Sequence, residues 1–196
     1  GGPVDVVAVT LAGRAFALAA GALTGSITVA RLEPGGALPP TDHVIDDLGT
    51  RFAGLQRLAA IDLGDRVYIA AGGRDDGVTL LQLLPDGRLF HVATRADSAD
   101  AMLTDITALA GLAHDGRAVL YAAGASEPGI TRLIHDPGPL APMRLGGTGA
   151  DRLEGDARGD LLFGRAGDDR LDGEGGADIV MDGGGADTLT GGPGAD

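Results

Sequence analysis

The sequence predicts an all-β protein, and three observations carry that expectation. Short runs of β-branched and small apolar residues are broken throughout by Gly, Pro and Asp turns. Related text recurs every 52 residues in the first three quarters of the chain, with Gly25, Gly77 and Gly129 at matching places. In the last quarter six aspartates stand nine residues apart: Asp151, Asp160, Asp169, Asp178, Asp187 and Asp196.

Taken in order, the first region, 1–143, reads as blades of a partial β-propeller. The recurring text is GRAFALAAGALTGSITVARLEPGGAL (13–38), DRVYIAAGGRDDGVTLLQLLPDGRL (65–89) and GRAVLYAAGASEPGITRLIHDPGPL (116–140). Each copy holds a strand run, an Ala-Gly step, a glycine turn, a second strand run and a Pro/Gly turn. A strand leads in at 4–13, 55–64 and 106–116, and another leads out at HVIDDL (43–48) and FHVATRAD (90–97). Four short strands at a period near 50 are the signature of propeller blades. The rival is a β-sandwich of ten or more strands. Three blades do not close a ring, and the sequence opens without methionine and closes inside a nonad. It is therefore read as part of a longer protein.

The second region, 144–196, reads GGTGADRLE, GDARGDLLF, GRAGDDRLD, GEGGADIVM, DGGGADTLT and GGPGAD from residue 146. Each nonad divides into a six-residue turn and a three-residue strand. Glycines at positions 1, 2 and 4 permit positive φ and close backbone approach. The aspartate closes the turn at position 6. A large apolar residue follows two places later, at Leu153, Leu162, Leu171, Val180 and Leu189, and one side chain per strand points inward. A flexible glycine linker would not hold carboxylate and leucine in fixed register. Nonad two departs, with Asp156 at position 2 and Arg158 at position 4, where positive φ would strain an arginine. Nonad five opens with Asp182.

This G-G-x-G-x-D-x-U-x pattern resembles the repeats-in-toxin (RTX, haemolysin-type) calcium-binding repeat, over residues 146–196. The resemblance implies a parallel β-roll with two nonads per coil, so that turns stack at a separation of 18. One edge then carries turns 146–151, 164–169 and 182–187, and the other 155–160, 173–178 and 191–196. Calcium, which takes six to eight oxygens, would lie between stacked turns, up to four ions in all. The implied ligands are the carboxylates of Asp151, Asp160, Asp169, Asp178, Asp187 and Asp196. Carbonyls of Gly146, Thr148, Gly164, Ala166, Gly173 and Gly175 complete the shells. Asp169 and Asp178 would each face two ions. The resemblance also implies export from a Gram-negative bacterium by type I secretion, with calcium folding the roll outside the cell.

Composition agrees. The net charge is −13, and residues 146–196 hold twelve acids against four arginines. Clustered carboxylates repel without a counter-ion, so the tail is expected to need calcium to fold. The acidic balance argues against nucleic acid or an anionic membrane as partner. Cysteine is absent, which excludes disulfides and thiolate metal sites. No signal peptide or membrane span is legible.

Catalytic motifs are missing. His43, His91, His114 and His135 form no HExxH, and Ser26, Ser98 and Ser126 lie in no G-x-S-x-G elbow. Asp75-Asp76-Gly77 and Glu127-Pro128-Gly129 sit at equivalent places and read as turn formers before metal ligands. Arg158-Gly159-Asp160 spells an adhesion motif, yet it is also positions 4 to 6 of a degenerate nonad. Three functions follow: a secreted calcium-binding protein whose blades bind an extracellular protein or glycan, a secreted calcium-dependent hydrolase-type enzyme with its catalytic part in the blades or elsewhere, or a surface protein using the roll as a spacer.

Overall fold

The computed structural model describes residues 4–47, 49–126 and 128–196; Glu127 and Leu48, which belong to two of the segments above, lie outside them. The described residues contain seventeen strands and no helix, so no helix is long and apolar enough to cross a membrane. The chain divides into two compact units, Gly1–His135 and Asp136–Asp196.

The first unit is three antiparallel meanders. The first comprises β1 (Asp5–Leu11), β2 (Arg14–Gly21), β3 (Ser26–Arg31) and β4 (Pro40–Ile45). The second comprises β5 (Arg57–Asp62), β6 (Val67–Gly72), β7 (Gly77–Leu83) and β8 (Leu89–Ala96). The third comprises β9 (Ile106–His114), β10 (Arg117–Gly124) and β11 (Thr131–His135). The hairpin turns put Gly13, Gly64 and Gly116 at positive φ, as tight connections between antiparallel strands require.

The lead strands line up, β1 against β5 and β5 against β9. Small residues make this possible: a Cβ at Gly111 would strike Ile61, and one at Gly72 would meet Ile106. The second meander is covered on both faces, and every residue of β6 and β7 is buried. Ile61, Tyr68, Val78 and Leu80 form one core with Leu103, Ile106 and Leu120. Alternate residues of β1 and β9 remain exposed, Val6, Leu112 and Ala110 among them. Aspartates fasten the sheets together. The Asp5 carboxylate accepts from the Leu58 amide at 2.8 Å, and that of Asp42 from Leu89 at 2.7 Å. Asp46 and Asp97, at matching corners, accept from the amides six residues later, of Phe52 at 2.8 Å and Leu103 at 2.7 Å.

The second unit is a parallel β-roll. One sheet is β12 (Arg144–Leu145), β14 (Leu161–Ala166) and β16 (Ile179–Gly184); the other is β13 (Arg152–Asp156), β15 (Arg170–Glu174) and β17 (Thr188–Thr190). Both ladders run in an 18-residue register, Leu153 beside Leu171 beside Leu189 and Leu145 beside Phe163 beside Met181. Of the five apolar residues expected inside, Leu162 and Leu171 are fully buried and Leu153 and Val180 half-buried, while Leu189 on the last coil is exposed. Leu161 and Phe163, on the opposite face of β14, are buried as well.

The glycine turns depart from the expectation in one respect. Positive φ falls at positions 2 and 4, not at position 1. Position 2 is positive in the last four turns, at Arg165 (77°), Glu174 (66°), Gly183 (102°) and Gly192 (102°). Arg158 does not adopt it. In the two leading turns the position 2 amide instead turns inward to the turn's own aspartate. The strain assigned to Arg158 therefore belongs to Arg165 and Glu174.

Candidate metal centre

The six aspartates form two ladders. The amide of Asp151 donates to Oδ1 of Asp169 at 2.8 Å, and that of Asp169 to Oδ1 of Asp187 at 2.8 Å. On the other edge Asp160 donates to Asp178 at 2.9 Å and Asp178 to Asp196 at 3.4 Å. Asp169, Asp178, Asp187 and Asp196 thus each spend one carboxylate oxygen on the backbone of the coil before. The 18-residue stacking places all six aspartates, three to an edge.

The other oxygen behaves differently along each ladder. In the leading turns it is closed by the turn's own amide, Gly147 to Asp151 at 2.7 Å and Asp156 to Asp160 at 2.9 Å. In Asp169 and Asp178, Oδ2 is buried and has no hydrogen-bond partner. These side chains are almost fully enclosed, at 3 % and 4 % exposure. Burial pushes the Asp178 carboxyl above its ordinary range, and the neighbouring Asp196 and Asp160 push it the same way against a backbone hydrogen bond that lowers it. An anionic oxygen held out of water with no donor calls for a cation.

Position 1 supplies the matching carbonyls. A Cβ built on Gly146 would meet the Gly164 carbonyl and Asp151 Oδ2 together. The same holds at Gly155 for the Gly173 carbonyl and Asp160, at Gly164 for the Asp182 carbonyl and Asp169, and at Gly173 for the Gly191 carbonyl and Asp178. Glycine is required there because the backbone of the next turn and a carboxylate oxygen converge on the space a side chain would fill. Among the described residues no three His, Cys, Asp or Glu side chains cluster as a metal site. The donors that do converge are carboxylate and carbonyl oxygens, the chemistry of a hard cation such as calcium.

Of the carbonyl residues expected from the sequence, Gly164 and Gly173 therefore lie at the convergence points. Gly146 frames one of them. Thr148, Ala166 and Gly175 occupy position 3 of their turns, Ala166 paired with Gly184 and Gly175 donating its amide to the Asp156 carbonyl at 3.0 Å. The carbonyls of Asp182 and Gly191 were missed, although adding 18 to Gly164 and Gly173 would have found them. Asp182 at position 1 is compatible with this use, which asks only for its carbonyl.

The histidines belong to the first unit. His43 and His91 lie on the equivalent strands β4 and β8, and each bonds a threonine, Thr28 and Thr94, at 2.8 Å. His135 packs edge-on against Tyr68, ring centres 5.2 Å apart. Asp75 pairs with Arg51 at 3.5 Å, and Asp76 accepts from the Asp105 amide at 3.3 Å.

Comparison with known proteins places the tail. The model of the RTX calcium-binding nonapeptide repeat (four copies) matches residues 145–180 and 172–196. No curated protein matches the chain. The register, the carboxylate ladders and this match agree: residues 145–196 are a block of RTX calcium-binding repeats, and calcium is their ligand.

Proposed function

We propose that the tail binds calcium in the four gaps between stacked turns, and that calcium completes its folding after export from the cell. The gaps are bounded by Asp151 and Asp169, Asp169 and Asp187, Asp160 and Asp178, and Asp178 and Asp196. The carbonyls of Gly146, Thr148, Gly164, Ala166, Gly173 and Gly175 serve as ligands in this reading, joined by those of Asp182 and Gly191. Calcium supplies the positive charge that the enclosed carboxylates lack. The chain supplies the rest: the ladder amides orient each carboxylate, and the glycines admit the carbonyls. The observation that carries the reading is the buried, partnerless Oδ2 of Asp169 and Asp178.

The blades, in this proposal, form part of a β-propeller that binds an extracellular protein or glycan. The meanders, their regular period and the alignment of β1, β5 and β9 support it. An extracellular compartment suits this reading, because extracellular calcium modules bind at about 0.1–1 mM, far above cytosolic calcium. Hydrogen exchange of the whole chain, with and without calcium, tests the proposal. Amides of 145–196 gain protection at millimolar calcium and not at equal magnesium. Protection that is identical with and without calcium would refute it.

A further inference from the structure

The second edge of the roll begins on a carboxylate that the ladder leaves incomplete. Asp160 is 2 % exposed, and its Oδ2 accepts from the Asp156 amide. Its Oδ1 is buried without a hydrogen-bond partner. In Asp169, Asp178, Asp187 and Asp196 that oxygen is taken by the amide of the aspartate 18 residues earlier. Eighteen before Asp160 stands Pro142, which has no amide hydrogen.

Residues 139–145 nevertheless lie along this turn as a partial coil. The Ala141 amide donates to the Gly159 carbonyl at 3.1 Å, and Gly159 donates to Pro139 at 3.0 Å. Leu140 is bridged to Gly159, and β12 then pairs Arg144 with Leu162, so the register shifts by one residue between them. Arg144 Nε stands 4.0 Å from Asp160 Oδ1, the guanidinium half in solvent and the carboxylate fully enclosed. The same guanidinium also acts on Asp156, although the Arg158 hydrogen bond is the larger cause holding that carboxyl at about 2. The first edge has no such need, since Asp151 at its open end is only half-buried.

We infer that Arg144 is a fixed cation at the open end of the second edge: it faces the Asp160 oxygen that no earlier aspartate amide reaches, and so holds that carboxylate in place for the calcium ion between Asp160 and Asp178. Pro142 removes the donor that would extend the ladder, and the Arg144 guanidinium stands in for it. Arg144 is a positioning residue, acting on calcium through Asp160. The inference rests on calcium lying between stacked turns. A wild-type chain that binds no calcium would overturn that reading, and the variants below would then have no midpoint to compare.

Calcium titration of the full chain, followed by hydrogen exchange of 145–196 and by calorimetry, tests it in Arg144→Gln, Arg144→Lys, Asp160→Asn and the double variant Arg144→Gln/Asp160→Asn. Arg144→Gln raises the calcium midpoint up to about 1.5-fold, the scale of a partly exposed ion pair shared over about four ions, and Arg144→Lys restores most of it. In the Asp160→Asn background Arg144→Gln adds no further shift, whereas a purely structural role for the side chain would persist there. An unchanged midpoint in Arg144→Gln, or an equal shift in both backgrounds, overturns it.

Discussion

Replacing Asp169 by alanine should cost the roll far more calcium affinity than replacing Asp151. Asp169 is 3 % exposed, its Oδ1 receives the Asp151 amide at 2.8 Å, and it borders two gaps. Asp151 borders one, receives no ladder bond from an earlier turn, and keeps only the exposed bond from Gly147 at 2.7 Å. A hydrogen bond to a buried charged acceptor contributes about 1.5–3 kcal/mol, and an exposed one about 0.5–1.5 kcal/mol. If about four ions enter in one transition, each kcal/mol is shared among them and moves the midpoint by only about 1.5-fold. Asp169→Ala, at about 3 kcal/mol, then shifts the midpoint about 3.5-fold, against about 1.5-fold for Asp151→Ala at about 1 kcal/mol. Asp169→Ala also lowers the number of ions bound. Isothermal calorimetry on the full chain reads both quantities. Equal shifts and equal stoichiometry in the two variants would refute the 18-residue stacking of ions.

Gly164→Ala should abolish calcium-induced protection of the tail, because its Cβ would collide with the Asp182 carbonyl and Asp169; Gly149→Ala, where a Cβ meets nothing within 4 Å, should be silent in the same hydrogen-exchange assay. Arg165→Gly should raise the thermal midpoint of the calcium-loaded roll, since relief of positive φ in a non-glycine residue is worth about 1 kcal/mol; an unchanged or lower midpoint would count against strain at that turn. Removing calcium with a chelator should release the amides of Asp151, Asp160, Asp169 and Asp178 while β6 and β7 stay protected, because those strands are buried in their own unit. Asp97→Ala should loosen the Leu103 corner and cost about 1.5–3 kcal/mol of stability in the first unit, read by denaturant unfolding, without altering calcium uptake.

The roll was legible because its chemistry repeats in register. One carboxylate and one leucine per nine residues fix both the strand faces and the turns, and a coil of two nonads fixes the stacking at 18. The carbonyl partners were less legible. Backbone carries no residue code, so Asp182 and Gly191 emerge only once the coils are superposed. Strain was misassigned to Arg158 because a glycine consensus marks where positive φ is tolerated rather than where a given coil uses it. The partial coil at 139–145 was illegible outright, since PLAPMRL has neither aspartate nor nonad spacing. In the first unit the 52-residue period foretold the meanders. The pairing of Asp46 with Phe52 and Asp97 with Leu103 was hidden, because an aspartate that ties a corner is spelled like one that merely forms a turn.

The aspartate ladder has a direction. Every donor amide belongs to an earlier turn and every accepting carboxylate to the turn 18 residues later. Backbone amides run the other way: Arg170, Ile179 and Thr188 donate to the carbonyls of Asp151, Asp160 and Asp169. Adjacent coils are thus tied in both directions at each aspartate, once through its side chain and once through its main chain. Whichever coil forms first offers its neighbour both a donor and an acceptor. Loss of one carboxylate therefore removes only one of the two ties, and the backbone tie still sets the spacing of the stack.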